Sequence, residues 1–140
     1  MSIMEFSGNY RWLSNFWPVE VFLDGVAYPS VENAYQAAKT LDLEARIPFT
    51  YQTPSNAKQF GKKLKIRSDW EKIKVDIMHE LLRQKFNNQI LKHRLLATEY
   101  EGIIEGNNWG DTFWGICNGK GVNMLGKLIM EIREELREQR

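Results

Sequence analysis

Glu32, Tyr35, Gln36 and Lys39 follow one another at helical intervals. At 3.6 residues per turn these four share an arc of about 100° on one helix face. A carboxylate in the first turn of that helix sits at the favourable end of the dipole, and an amine about 10 Å further along the axis leaves room for a small substrate between the two heads. The same spacing suits an exposed face with an amide spacer, because surface charges usually contribute little.

A second set of chemical groups lies in Gly102 to Gly121, which holds six glycines, two tryptophans and one aspartate. A glycine-rich stretch of that length in a compact domain is more often a binding loop than filler. Within it Asn107, Trp109, Asp111 and Trp114 interleave amide, indole and acid. Indole faces stack on bases for about 1–3 kcal/mol each, and carboxylates orient ribose hydroxyls or stabilise an oxocarbenium-like centre. The alternative is that Trp109 or Trp114 fills the core while the glycines make turns.

Upstream, the aromatic segment from Phe6 to Pro18 carries the polar pair Ser14-Asn15. Four of its rings are expected to cover core, and the pair either closes a turn or faces a ligand. Lys58, Lys62, Lys63, Lys65 and Arg67 put five cations in ten residues. Such a run holds a phosphate or simply solvates a helix face.

Composition narrows the classes. The chain has 140 residues, 43% hydrophobic and 26% charged, with 19 basic against 18 acidic side chains and a formal charge of +1. One globular domain over residues 1–140 is expected, and bulk positive charge is excluded as a means of holding nucleic acid. The single cysteine, Cys117, allows no intramolecular disulfide and makes a cytoplasmic setting the default. Neither a signal peptide nor a membrane span is legible, so no membrane partner is expected. His79, His93 and Cys117 lack the spacing of a zinc site, so no metal is expected, and the glycines match neither a P-loop nor a dinucleotide fingerprint.

The elements that must position these groups follow from periodicity and punctuation. Val19 to Tyr28 alternates around Asp24-Gly25, a hairpin turn signal. Ser30 caps a first helix, expected from about Val31 to Ala45. Thr53-Pro54 starts a second helix that Gly61 ends. Ser68 and Glu71 have capping-box spacing ahead of a core helix whose apolar stripe runs Trp70, Ile73, Ile77, Met78, Leu81, Leu82, Phe86. Ile90, Leu91, Leu95 and Leu96 mark a shorter helix, and Met124 to Leu136 a last one with Asn123 as its cap. The fold class is α+β, predominantly helical, with a small hairpin near the N-terminus.

Three segments together resemble the NADAR family of YbiA-like N-glycosidases: Leu13-Ser14-Asn15-Phe16; Ser30-Val31-Glu32 with Tyr35-Gln36-Ala37 and Lys39; and Ile104-Glu105 with Asp111, Trp114-Gly115, Gly121 and Asn123. Ala57-Lys58, Gly61, Trp70, Lys74, Met78, Lys85-Phe86 and Arg133 extend the match along nearly the whole chain, while Asn33 stands where related sequences often carry His. The resemblance implies hydrolysis of a ribose–base N-glycosidic bond, in phosphoribosylamino-pyrimidine intermediates of riboflavin synthesis or in ADP-ribosylated guanine of nucleic acid. It implies no cofactor.

On that resemblance Glu32 is the carboxylate that stabilises charge on the sugar. Lys39 is either a cation toward phosphate or an amine that forms a Schiff base with the opened sugar. Asp111 orients ribose hydroxyls, Trp114 and Trp109 stack on the base, and Ser14, Asn15, Gln36, Asn107 and Asn123 bind substrate. The expected site is a cleft between the first helix and the glycine-rich stretch. The rival readings are a non-catalytic module that binds ADP-ribose or a nucleotide, and a structural interaction protein. The sequence does not fix the oligomeric state.

Overall fold

Along residues 1–139, which the computed structural model describes, helices predominate. The strands are β1 (Ser2–Ile3), β2 (Val21–Leu23), β3 (Val26–Tyr28), β4 (Gly102–Ile103), β5 (Gly106–Asn107) and β6 (Ile116–Cys117). The helices are α1 (Val31–Ala37), α2 (Leu43–Arg46), α3 (Pro54–Gly61), α4 (Trp70–Lys85), α5 (Gln89–Ala97) and α6 (Met124–Glu138), with 3-10 helices at Gly8–Leu13 and Ile47–Thr50. This is the α+β, mainly helical class expected. No helix among the described residues is long and apolar enough to cross a membrane.

The contacts define two compact units, Asn15–Lys85 on the one hand and Met1–Ser14 with the stretch from Phe86 onward on the other. In the first unit β2 and β3 form the expected antiparallel hairpin, with Val21 opposite Tyr28 and Leu23 opposite Val26. Asp24 and Gly25 turn it at φ 49° and 80°, the two positive angles of a tight hairpin turn. The amide of Gln84 on α4 seals the strand edge, accepting from the Phe22 N–H at 2.7 Å and donating to its carbonyl at 2.9 Å. Against α1 pack α3 and α4, and Val31, Ala34, Ala37, Phe49, Ala57 and Leu82 are fully enclosed.

In the second unit β1 pairs in parallel with β4, and β5 with β6. The last helix, α6, covers β4 and α5 with Leu125, Ile129, Ile132 and Leu136. Neither parallel pair is legible in sequence, because each strand is two residues long and β1 pairs with a strand far along the chain.

Several local expectations are corrected. The first helix ends at Ala37, well before Ala45, because Thr40 and Asp42 start a new one. The Thr40 hydroxyl accepts from the Asp42 N–H at 3.1 Å, and Asp42 Oδ1 caps the amides of Glu44 and Ala45. Ser68 and Glu71 form no capping box: α4 begins at Trp70, the Asp69 carbonyl accepts from Lys72 and Ile73, and Glu71 accepts from Lys74 at 2.9 Å. Of the stripe on α4, Ile73 and Ile77 are only half-buried. Trp12 alone of the N-terminal rings is buried, while Phe16 is exposed.

Candidate active site

Within the first unit, α1 brings Glu32, Gln36 and Lys39 together. Ser30 caps the helix, accepting from the Asn33 N–H at 3.1 Å. The Asn33 side chain is fully buried and donates to the carbonyls of Phe49 and Gln52 at 2.9 and 2.8 Å, tying that segment to the helix start. Glu32 is buried, and its backbone amide donates to the Asn15 carbonyl at 3.1 Å. Gln36 Nε2 donates to Glu32 Oε2 at 2.6 Å. Asn15 is buried with its Nδ2 at 3.5 Å from Met78 Sδ.

Although α1 stops at Ala37, its end tightens without swinging away. The Lys39 N–H donates to Gln36 and the Lys39 carbonyl accepts from Arg67 at 2.8 Å. The ammonium therefore folds back over the Tyr35 ring, 5.8 Å from its centroid, and that ring rests on Trp70 at 5.1 Å.

The surroundings of Lys39 shift it toward the neutral form in which an amine can attack. Burial pushes its pKa below the ordinary 10.5; the Glu32 carboxylate opposes that shift, and the ammonium groups of Lys58, Lys62 and Lys74 reinforce it. Part of the basic run thus has a role beyond solvating α3, since Lys58 and Lys62 act on Lys39. Lys74 joins them from α4; its position one turn after Trp70 on a helix facing α1 was the available signal.

In the second unit the glycine-rich stretch is organised by its own polar side chains. Asn107 Nδ2 donates to the Asp111 carbonyl at 2.8 Å, and its Oδ1 accepts from the amides of Asp111 and Trp109 at 3.0 and 3.3 Å. Asp111 Oδ1 accepts from Phe113 and Trp114 at 3.1 and 2.9 Å, which leaves its second carboxylate oxygen for other work. Trp114 is half-buried against Phe113, with ring centroids 4.9 Å apart, and Trp109 is 59% exposed. Neither indole fills the core. Ser14 is half-buried and closes the N-terminal 3-10 helix through its backbone amide.

Asn123 stands apart from the other candidates. It occupies the cap position of α6 in the left-handed region, at φ 56°, with no side-chain cap bond. Its Oδ1 accepts from the Glu105 N–H and its Nδ2 donates to the Ile103 carbonyl, both at 2.9 Å. The expected cap bond is replaced by a bridge between α6 and the strand segment, because the buried backbone at 103 and 105 needs those partners.

One buried group was part of the family match but was given no role in the sequence reading. Lys85 has no exposed surface, and burial lowers its pKa to about 7. Its place seven residues after Met78 and three after Leu82, on the apolar stripe, was the signal.

Comparison with known proteins supplies the family. The NADAR domain model matches residues 4–137. The N-glycosidase YbiA of Shigella boydii is 38% identical over 137 residues, covering 93% of this chain and 84% of that protein. A riboflavin biosynthesis protein of Vibrio vulnificus is 35% identical over 136 residues, covering 93% of this chain and 36% of its own length. The NMR structure of the E. coli protein YbiA superposes with a TM-score of 0.86 at 33% identity, covering 99% of this chain and 85% of that one.

Proposed function

The chain belongs to the NADAR domain family and is an N-glycosyl hydrolase; from that premise we propose that it cleaves the bond between a ribose carbon and the nitrogen of a base, in the cytoplasm. The substrates proposed are phosphoribosylamino-pyrimidines of riboflavin synthesis and ADP-ribosylated guanine in nucleic acid. The observation that carries the reading is the half-buried Lys39 amine beside the buried Glu32 carboxylate, with three further ammonium groups lowering its proton affinity.

Cleavage of a C–N glycosidic bond builds positive charge on the anomeric carbon, and Glu32 lowers the barrier by facing that charge. The bond from the anomeric carbon to the ring oxygen breaks, that oxygen taking a proton while the base nitrogen forms a C=N bond; neutral Lys39 Nζ adds to this carbon and loses a proton, and the bond to the base nitrogen then breaks, the electron pair leaving with that nitrogen as it takes a proton. The iminium left on Lys39 is hydrolysed by water, which releases the sugar aldehyde and restores the amine. Lys39 is assigned the nucleophile's role over that of a phosphate cation because burial, then the like charges of Lys58, Lys62 and Lys74, lower its proton affinity against the opposing pull of Glu32.

By the family resemblance alone, Asp111 is the group that would orient ribose hydroxyls, and Trp114 and Trp109 those that would stack on the base. Purified protein is expected to release free pyrimidine from the first substrate or to restore unmodified guanine in the second. Glu32→Gln is expected to lose about 100-fold or more in kcat. Saturable binding of ADP-ribose with no turnover of either substrate would establish the binding module instead.

A further inference from the structure

The basic run of α3 divides according to the way its members face. Gly61, the last residue of that helix, lies so close to α1 that a Cβ there would occupy the space of Gln36 Oε1 and Cδ. That contact marks the line where α3 meets α1. At 3.6 residues per turn Lys58 and Lys62 lie about 60° and about 100° round the helix from Gly61, on the same side and one turn from each other. Both therefore flank the contact with Gln36, whose amide is bonded to Glu32. Lys63 turns elsewhere, its ammonium 5.8 Å from the centroid of the Phe60 ring, and Lys65 stands beyond the helix end.

Lys58 and Lys62 are also the members of the run whose charge reaches Lys39. Lys74 adds an ammonium from α4, but it gives a bond to Glu71 at 2.9 Å. Lys39 and Lys58 are half-buried and Lys62 is exposed, so a ligand arriving from solvent meets the cluster at Lys62. Ammonium groups gathered in this way repel one another, and the repulsion grows as water is excluded. A bound dianion turns it into attraction.

We propose that Lys58 and Lys62 form the subsite for the 5′-phosphoryl group of the ribosyl substrate. The inference rests on the glycosidase reading. There the anomeric carbon lies at Lys39, and the phosphoryl group is carried by the same small sugar, so it lands close to the nucleophile. Of the elements packed on α1, α3 is the one that brings a pair of ammonium groups to that place. Each ammonium is a compact charge with three donors, suited to phosphoryl oxygens. The same chemistry occurs as a monoester in phosphoribosylamino-pyrimidines and as a diphosphate in ADP-ribose. Lys39 is thereby left to the sugar carbon while its neighbours hold the anion.

The test is calorimetric titration with ribose 5-phosphate, ADP-ribose and unphosphorylated ribose. The parent protein is expected to bind ribose 5-phosphate more tightly than ribose by about tenfold or more. In Lys62→Met that preference should fall about threefold, and with Lys58→Met added it should shrink to about twofold or less. Lys63→Met and Lys65→Met remove the same charge from the same run and should leave it unchanged. Should the double variant fail to unfold cooperatively, Lys62→Met decides alone, its side chain being exposed. Equal affinity for the two sugars in the parent, absence of ribose 5-phosphate binding, a preference that survives in the folded variants, or an equal loss in the Lys63 and Lys65 variants overturns the proposal. A loss seen with ADP-ribose as well extends the subsite to the diphosphate, and a loss confined to ribose 5-phosphate restricts it to the monoester. Turnover of phosphoribosylamino-pyrimidine by the parent is scored separately. A parent that cleaves but does not discriminate refutes only the phosphoryl subsite, and one that discriminates but never cleaves refutes only the glycosidase reading.

Discussion

Two lysines in this chain sit where a protonated amine is disfavoured, for different reasons. Lys39 responds to burial and to three neighbouring cations, opposed by Glu32. Its rate profile is expected to climb with pH as the amine deprotonates, and to do so below the ordinary 10.5. Lys62→Met removes one repelling charge and lets Lys39 hold its proton to higher pH. The climb should therefore move upward, and kcat at pH 7 should fall about two- to fivefold, as one screened charge allows. An unmoved profile would show that Lys62 is a bystander.

Lys85 responds to burial, with its pKa lowered to about 7 from the ordinary 10.5. Between those values the unfolded chain binds more protons than the folded one, so stability rises with pH across that window and is flat below it. Urea midpoints from pH 7 to 10 should rise for the parent, and Lys85→Met should remove much of that slope. Lys39, also shifted down, contributes the remainder.

Turns and caps decided which of these elements could be read in advance. The hairpin was legible because Asp24-Gly25 carries its own backbone preference, and α3 because Thr53-Pro54 and Gly61 bracket it. The end of α1 was not, since the pattern of Val31, Ala34, Tyr35, Ala38 and Leu41 continues past the break that Asp42 imposes. Spacing alone suggested a capping box at Ser68 and a cap at Asn123, whereas Lys74, one turn on in the same helix, claimed Glu71 and tertiary partners claimed the Asn123 amide.

The glycine-rich loop offers a separation of charge from structure. Asp111→Asn keeps an oxygen for the amides of Phe113 and Trp114. It should leave the urea midpoint nearly unchanged while lowering kcat/KM about 100-fold. Asp111→Ala should lose both, with about 1–2 kcal/mol of stability. Equal activity in Asp111→Asn and parent would remove Asp111 from the chemistry.

The chain's near-neutral charge of +1 bears on which carrier it serves. Without bulk attraction to phosphate backbone, little affinity comes from the nucleic acid itself. If ADP-ribosylated guanine is a substrate, kcat/KM is expected to differ by less than about tenfold between the free nucleoside and the same base in DNA. The family resemblance was legible over nearly the full length because its polar residues keep their order from Ser14 to Arg133. Lys39's environment was not, because it is assembled from α1, α3 and α4. Spacing within one segment reports a face; it does not report which cations a neighbouring helix brings.

Borohydride added during turnover of phosphoribosylamino-pyrimidine tests most directly whether Lys39 is the nucleophile. The parent protein should gain the mass of a reduced ribose phosphate on Lys39, and Lys39→Ala should gain none. Full turnover by the parent with no trapped adduct, or an adduct that persists in Lys39→Ala, would contradict it.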